Sequence, residues 1–90
     1  MKTNELKSVF VETIPVELQD GILYISKEHG TAISKCPCGC GQQSVLSLRP
    51  VFSDGWSINN EENGKVTIRP SILNPCGAHY FITDNKVEWV

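Results

Sequence analysis

No stretch of this 90-residue chain approaches the run of about 18 apolar residues that a membrane-crossing helix needs. The first residues, Met1-Lys2-Thr3-Asn4-Glu5-Leu6-Lys7, contain no apolar segment of the kind found in a secretory signal. Positive charge is not in excess. Eight Lys and Arg stand against ten Asp and Glu, a net charge of −2, which argues against the basic stripe of a nucleic-acid-binding domain. Internal repeats, low-complexity tracts and linkers are missing, and no segment sustains a helical period. Only Val16–Gln19 and the first turn of the chain remain as short helix candidates. These absences predict one cytoplasmic domain without nucleic acid or membrane as a partner.

What the chain does contain is a series of short β-like runs separated by turn residues. Val9-Phe10-Val11 comes first and stops near Pro15. Asp20-Gly21 turns into Ile22-Leu23-Tyr24-Ile25, and Thr31-Ala32-Ile33 follows. Val45-Leu46-Ser47-Leu48 ends at Pro50, and Asp54-Gly55 turns into Trp56-Ser57-Ile58. The polar loop Asn59–Gly64, with its Asn63-Gly64 hairpin signal, leads to the alternating, β-branched Val66-Thr67-Ile68-Arg69. Tyr80–Thr83 and Val87–Val90 flank Asp84-Asn85 as a closing hairpin. The pattern predicts an all-β or mainly β fold: one small antiparallel sheet or half-barrel built from hairpins. Residues 1–19 read as an N-terminal strand and lead-in, and residues 20–90 as the main β domain. Trp56 and Trp89 are expected to pack its thin core, and Tyr80 with them.

The strongest chemical signal is the four cysteines. Cys36-Pro37-Cys38-Gly39-Cys40-Gly41 interleaves thiols with glycines, which suits a tight turn curling around an ion. Pro75-Cys76-Gly77-Ala78-His79 then supplies Cys-x-x-His, a usual zinc spacing. Together Cys36, Cys38, Cys40, Cys76 and His79 offer five donors for a site needing four, and thiolate with imidazole favours Zn²⁺. Disulfides fit poorly, because cytosolic thiols stay reduced and closely alternating cysteines are awkward to pair with one another. The usual iron–sulfur spacings are absent. A zinc ion here can be a closed staple for a small fold or an open catalytic centre with a water as fourth ligand, and spacing leaves both readings standing.

The motifs taken together resemble a family of small bacterial proteins of unknown function, encoded beside ubiquitin-like proteins and their activating and conjugating enzymes. The matching pieces are Gly21-Ile22-Leu23-Tyr24-Ile25-Ser26, Cys36–Gly41, Trp56, Val66-Thr67-Ile68-Arg69-Pro70-Ser71-Ile72, Cys76–Tyr80 and Val87-Glu88-Trp89. They cover roughly residues 20 to 90. The resemblance implies a zinc-dependent peptidase that trims a ubiquitin-like precursor or removes the modifier from a conjugate. One position departs: the family usually has His two residues before the first cysteine, where this chain has Ser34.

Zinc hydrolysis needs an activated water, a base and an oxyanion donor. Glu28, in Ser26-Lys27-Glu28-His29-Gly30, is the expected base, against the plain alternative of a solvated loop carboxylate. The helical His-Glu-x-x-His of zincins is absent, so the logic is closer to zinc deaminases, where a separate Glu moves protons. The Ser71 hydroxyl can donate to an oxyanion, although Ser after Pro is also ordinary turn chemistry. His29 reads as an exposed loop residue. The expected substrate is a ubiquitin-like protein with an extended C-terminal tail, laid along an exposed strand edge; conjugation enzymes are further candidate partners. The rival expectation is a non-catalytic, zinc-stapled adaptor for the same modifier or its enzymes.

Overall fold

The computed structural model describes residues 3–60 and 64–90, all of them outside helices. Eight strands follow one another: β1 (Lys7–Phe10), β2 (Ile22–Ser26), β3 (Thr31–Lys35), β4 (Gln43–Ser47), β5 (Ser57–Asn60), β6 (Val66–Leu73), β7 (His79–Thr83) and β8 (Lys86–Trp89). They form two four-stranded sheets in sequential order, β1-β2-β3-β4 and β5-β6-β7-β8.

Alternation of side chains explains both sheets. In β7, Tyr80 and Ile82 are buried while His79, Phe81 and Thr83 are partly exposed; β4 buries Ser44 and Leu46 and exposes its odd-numbered residues. The inward residues of the two sheets share one core, from Leu6, Leu23, Ile25, Ala32, Leu46 and Leu48 to Val66, Ile68, Ile72, Tyr80, Ile82 and Val87. Trp56, Ile58 and Trp89 pack against it, and the Trp89 ring lies 5.4 Å from that of Tyr80.

Both seams between the sheets are stitched. At one, Leu48 bridges Trp56, with Trp56 N donating to Ser47 O (2.8 Å) and Arg49 N to Trp56 O (2.9 Å). At the other, Glu5 bridges Lys86, with Val87 N donating to Asn4 O (2.8 Å) and Leu6 N to Asn85 O (2.7 Å). Short backbone bridges thus join the two sheets at both seams around the shared core.

Three expectations need amendment. The first sheet is mixed, because β1 pairs β2 in parallel through the long connection from Val11 to Gly21. Val16–Gln19 is irregular rather than helical. And β6 does not stop before Pro70: it runs on to Leu73, with a register shift against β7 between Ile68 and Ile72 that accommodates the proline. The expected Asn59–Gly64 loop lies partly outside the described residues, at 61–63. The Asp84-Asn85 turn is as expected; φ angles of 48° and 66° match a two-residue hairpin whose twist suits its strands.

Candidate functional site

The β6–β7 hairpin carries most of the chemistry. Its turn closes by two bonds, Gly77 N to Asn74 O (2.8 Å) and Asn74 N to Ala78 O (2.9 Å), with Gly77 at φ +93°. This is a three-residue hairpin loop with glycine in the left-handed position. The turn presents Cys76 outward, toward the β3–β4 loop that contains the other three cysteines.

All four Cys Sγ atoms lie within 4.8 Å of one another. Cys36 Sγ is 3.3 Å from Cys38 Sγ and 3.5 Å from Cys76 Sγ, and Cys38 Sγ is 3.7 Å from Cys76 Sγ. Four thiolates around a tetrahedral zinc at about 2.3 Å would sit about 3.8 Å apart, so the donor set fits such an ion. The thiols also feel one another: the Cys36 thiol pushes Cys38 up, while the Ala78 backbone N–H holds Cys76 down to about 7. Crowded thiols of this kind ionise together only when a cation compensates them.

His79 is not a member of this group. As the first residue of β7 it points to the outer face of the second sheet, and its Nε2 lies 2.9 Å from Ser71 Oγ. The pairing follows from register. Leu73 opposes His79 and Ser71 is two residues before Leu73 on the same face of β6, so their side chains converge. The backbone around them is anchored: Val90 N donates to His79 O (3.0 Å), and the Trp56 indole N–H to Ser71 O (3.3 Å). Ser71 and His79 are half-buried, and Leu73 beside them is 68% exposed. On the same face Arg69 stacks its guanidinium over the Phe81 ring at 4.9 Å and donates to Thr83 Oγ1.

Glu28 is elsewhere. It sits exposed in the β2–β3 turn, while the cysteines follow the far end of β3, so the structure does not bring it to the cluster. His29 is exposed in the same turn. Ser34, where the resembling family has His, is buried in β3 opposite Ser44 and contributes no ligand.

One residue that sequence reasoning missed ties the cysteine loop to the β6–β7 hairpin. Asn74, 8% exposed, donates from Nδ2 to Cys36 Sγ and to Tyr80 Oη (3.2 Å each) and accepts from Ser44 Oγ (2.9 Å). Its proximity to Cys76 in sequence was the only signal available.

Residues 10–90 match the model of a protein family described as "Bacterial ubiquitination-like system serine protease (BubE)". No curated protein and no solved structure matches the chain. The match covers nearly the whole chain and agrees with the ubiquitin-like setting that the motifs suggested. It overturns the expectation of a zinc-dependent peptidase, because the family is described as a serine protease.

Proposed function

The chain belongs to this BubE family of serine proteases from bacterial ubiquitination-like systems, and we propose that Ser71 and His79 are its nucleophile and general base. The observation that carries the proposal is the 2.9 Å contact between Ser71 Oγ and His79 Nε2 on a solvent-facing sheet. A hydroxyl is a weak nucleophile until an adjacent imidazole takes its proton, and this distance is within the range for that transfer.

With its proton on Nδ1, His79 accepts the Ser71 hydroxyl proton at Nε2 as Oγ attacks the scissile carbonyl carbon. The tetrahedral intermediate collapses to an ester on Ser71, and His79 returns the proton to the departing amine. Water then attacks the ester with His79 again as base, which frees the new C-terminus and restores Ser71. Both side chains are held by strand pairing rather than by loops, so their approach is set before substrate arrives.

The substrate is a ubiquitin-like protein, cleaved at its extended C-terminal region. The β5 ladder ends at Ser57–Arg69, so residues 71–73 of β6 pair with β7 on one side and have no β5 partner on the other, where the Trp56 indole donates to Ser71 O. An extended tail laid along that edge comes next to Ser71, with the exposed Leu73 as an apolar contact. Cys36, Cys38, Cys40 and Cys76 would hold a zinc ion in a structural role, pinning the β6–β7 turn to the β3–β4 loop.

The test is incubation of the full chain with a ubiquitin-like protein that carries a C-terminal extension. Ser71→Ala should lower the cleavage rate at least about a thousand-fold with metal content unchanged. Cleavage by Ser71→Ala at the wild-type rate would refute the assignment.

A further inference from the structure

The hydrogen bonds of Asn74 join the cysteine cluster to the hairpin that bears Ser71 and His79. Its side chain is part of a closed ring: Ser44 Oγ donates to Asn74 Oδ1 (2.9 Å), Asn74 Nδ2 donates to Tyr80 Oη (3.2 Å), and Tyr80 Oη donates back to Ser44 Oγ (3.3 Å). All three residues are buried. The reversed ring would satisfy the same two hydroxyls but would aim Oδ1 at Cys36 Sγ, where a thiolate repels it, so it is the cysteine that selects this amide orientation. One amide hydrogen is left over, and it points at Cys36 Sγ, 3.2 Å away. Cys36 is itself buried, at 4% exposure.

A thiolate accepts such an N–H more strongly than a neutral thiol does, since the bond becomes charge-assisted. Asn74 therefore sits in its present position most firmly when Cys36 is a metal-bound thiolate. Its main chain closes the hairpin turn in the same place, through Gly77 N and Ala78 O. Ser71 lies three residues before it and His79 five residues after, in facing strands. A shift of Asn74 is felt in the separation of the two.

We propose that Asn74 is a positioning residue that couples cation binding at the four cysteines to the alignment of Ser71 with His79. This rests on the two readings above, a serine protease and a cysteine-bound divalent cation, and it goes beyond both. It makes the cation a determinant of serine reactivity through one side chain, without giving it a part in the chemistry.

The test uses the full chain loaded with Co²⁺, whose sulfur-to-cobalt charge-transfer band reports on the thiolates, together with the rate at which a fluorophosphonate labels Ser71. Wild-type protein is measured first. Absence of the band, or of labelling that Ser71→Ala removes, would defeat the underlying readings and the coupling with them. Given both signals, Asn74→Asp retains the acceptor for Ser44 but replaces the N–H donors with a carboxylate oxygen facing Cys36; Asn74→Ala removes donor and acceptor without adding charge, so the two together separate loss of the N–H from added charge. Each should weaken Co²⁺ affinity about ten- to a hundred-fold and move the band to lower energy. Labelling at saturating Co²⁺ should slow by up to about a hundred-fold, the scale of a misplacement near 1 Å. Ser44→Ala breaks the ring but leaves the Asn74–Cys36 bond, and should keep the wild-type band. The proposal is overturned if Asn74→Asp retains wild-type affinity and band, if it labels at the wild-type rate, or if Ser44→Ala moves the band equally far. Near-UV dichroism from the Tyr80–Trp89 pair checks that each variant is folded.

Discussion

Gly77 has a φ of +93° with open space where a Cβ would stand, so its role is conformational alone. Gly77→Ala meets no clash but must hold an L-residue in a left-handed conformation, at a cost of about 1–2 kcal/mol. The expected result in thermal unfolding is a lowered midpoint with the cation site retained. The neighbouring residues show which of the positions singled out from sequence the structure brings together and which it does not. Cys36, Cys38, Cys40 and Cys76 were recognisable from composition and spacing, and the structure gathers all four. His79 shared that spacing and goes elsewhere. A Cys-x-x-His pair converges on one ion only if the chain keeps curling, and here the turn ends at Ala78 and an extended strand begins, which swings the imidazole toward Ser71. Ser71 was singled out as an oxyanion donor, but its pairing with His79 depends on the register of two strands, and a local motif does not encode register.

At the level of strands, most of the architecture was legible. Short β-like runs between turn residues marked all eight strands to within a few residues, and all but β1 place side chains in or against the shared core. Two features were not. Pro70 reads as a strand end because it lacks an N–H, and only the register shift against β7 lets β6 continue through it to Ser71. The parallel pairing of β1 with β2 depends on a long connection without regular structure. The centre of β6 is anchored by Ile68, fully buried between Ile58 of β5 and Ile82 of β7 in the sheet. Ile68→Ala should destabilise by about 2–5 kcal/mol in denaturant unfolding. Loss below about 1 kcal/mol would mean that the two sheets do not share the core described here.

For the molecule as a whole, 90 residues provide a thin core, and at the cysteine end the β3–β4 and β6–β7 loops bring the two sheets together through their thiols. A structural zinc supplies about 10–16 kcal/mol of apparent binding free energy, comparable with or above the entire stability of a domain this size. A strong chelator should therefore lower the unfolding temperature sharply and erase the near-UV signal of Tyr80 and Trp89, and added Zn²⁺ should restore both. An unchanged unfolding curve after proven metal removal would show that the hydrophobic core suffices. Loss of cleavage after chelation follows equally from loss of this staple, so it does not by itself identify a metallopeptidase. Serine reactivity has to be probed directly.

The most direct measurement is to treat the metal-loaded full chain with a fluorophosphonate and locate the adduct by mass spectrometry of the intact protein and its peptides. One adduct per chain, on Ser71, lost in Ser71→Ala and strongly slowed in His79→Gln, is the predicted result. A folded, metal-loaded protein that gains no adduct, or gains it on another serine at the same rate when His79 is replaced, would contradict the Ser71–His79 assignment.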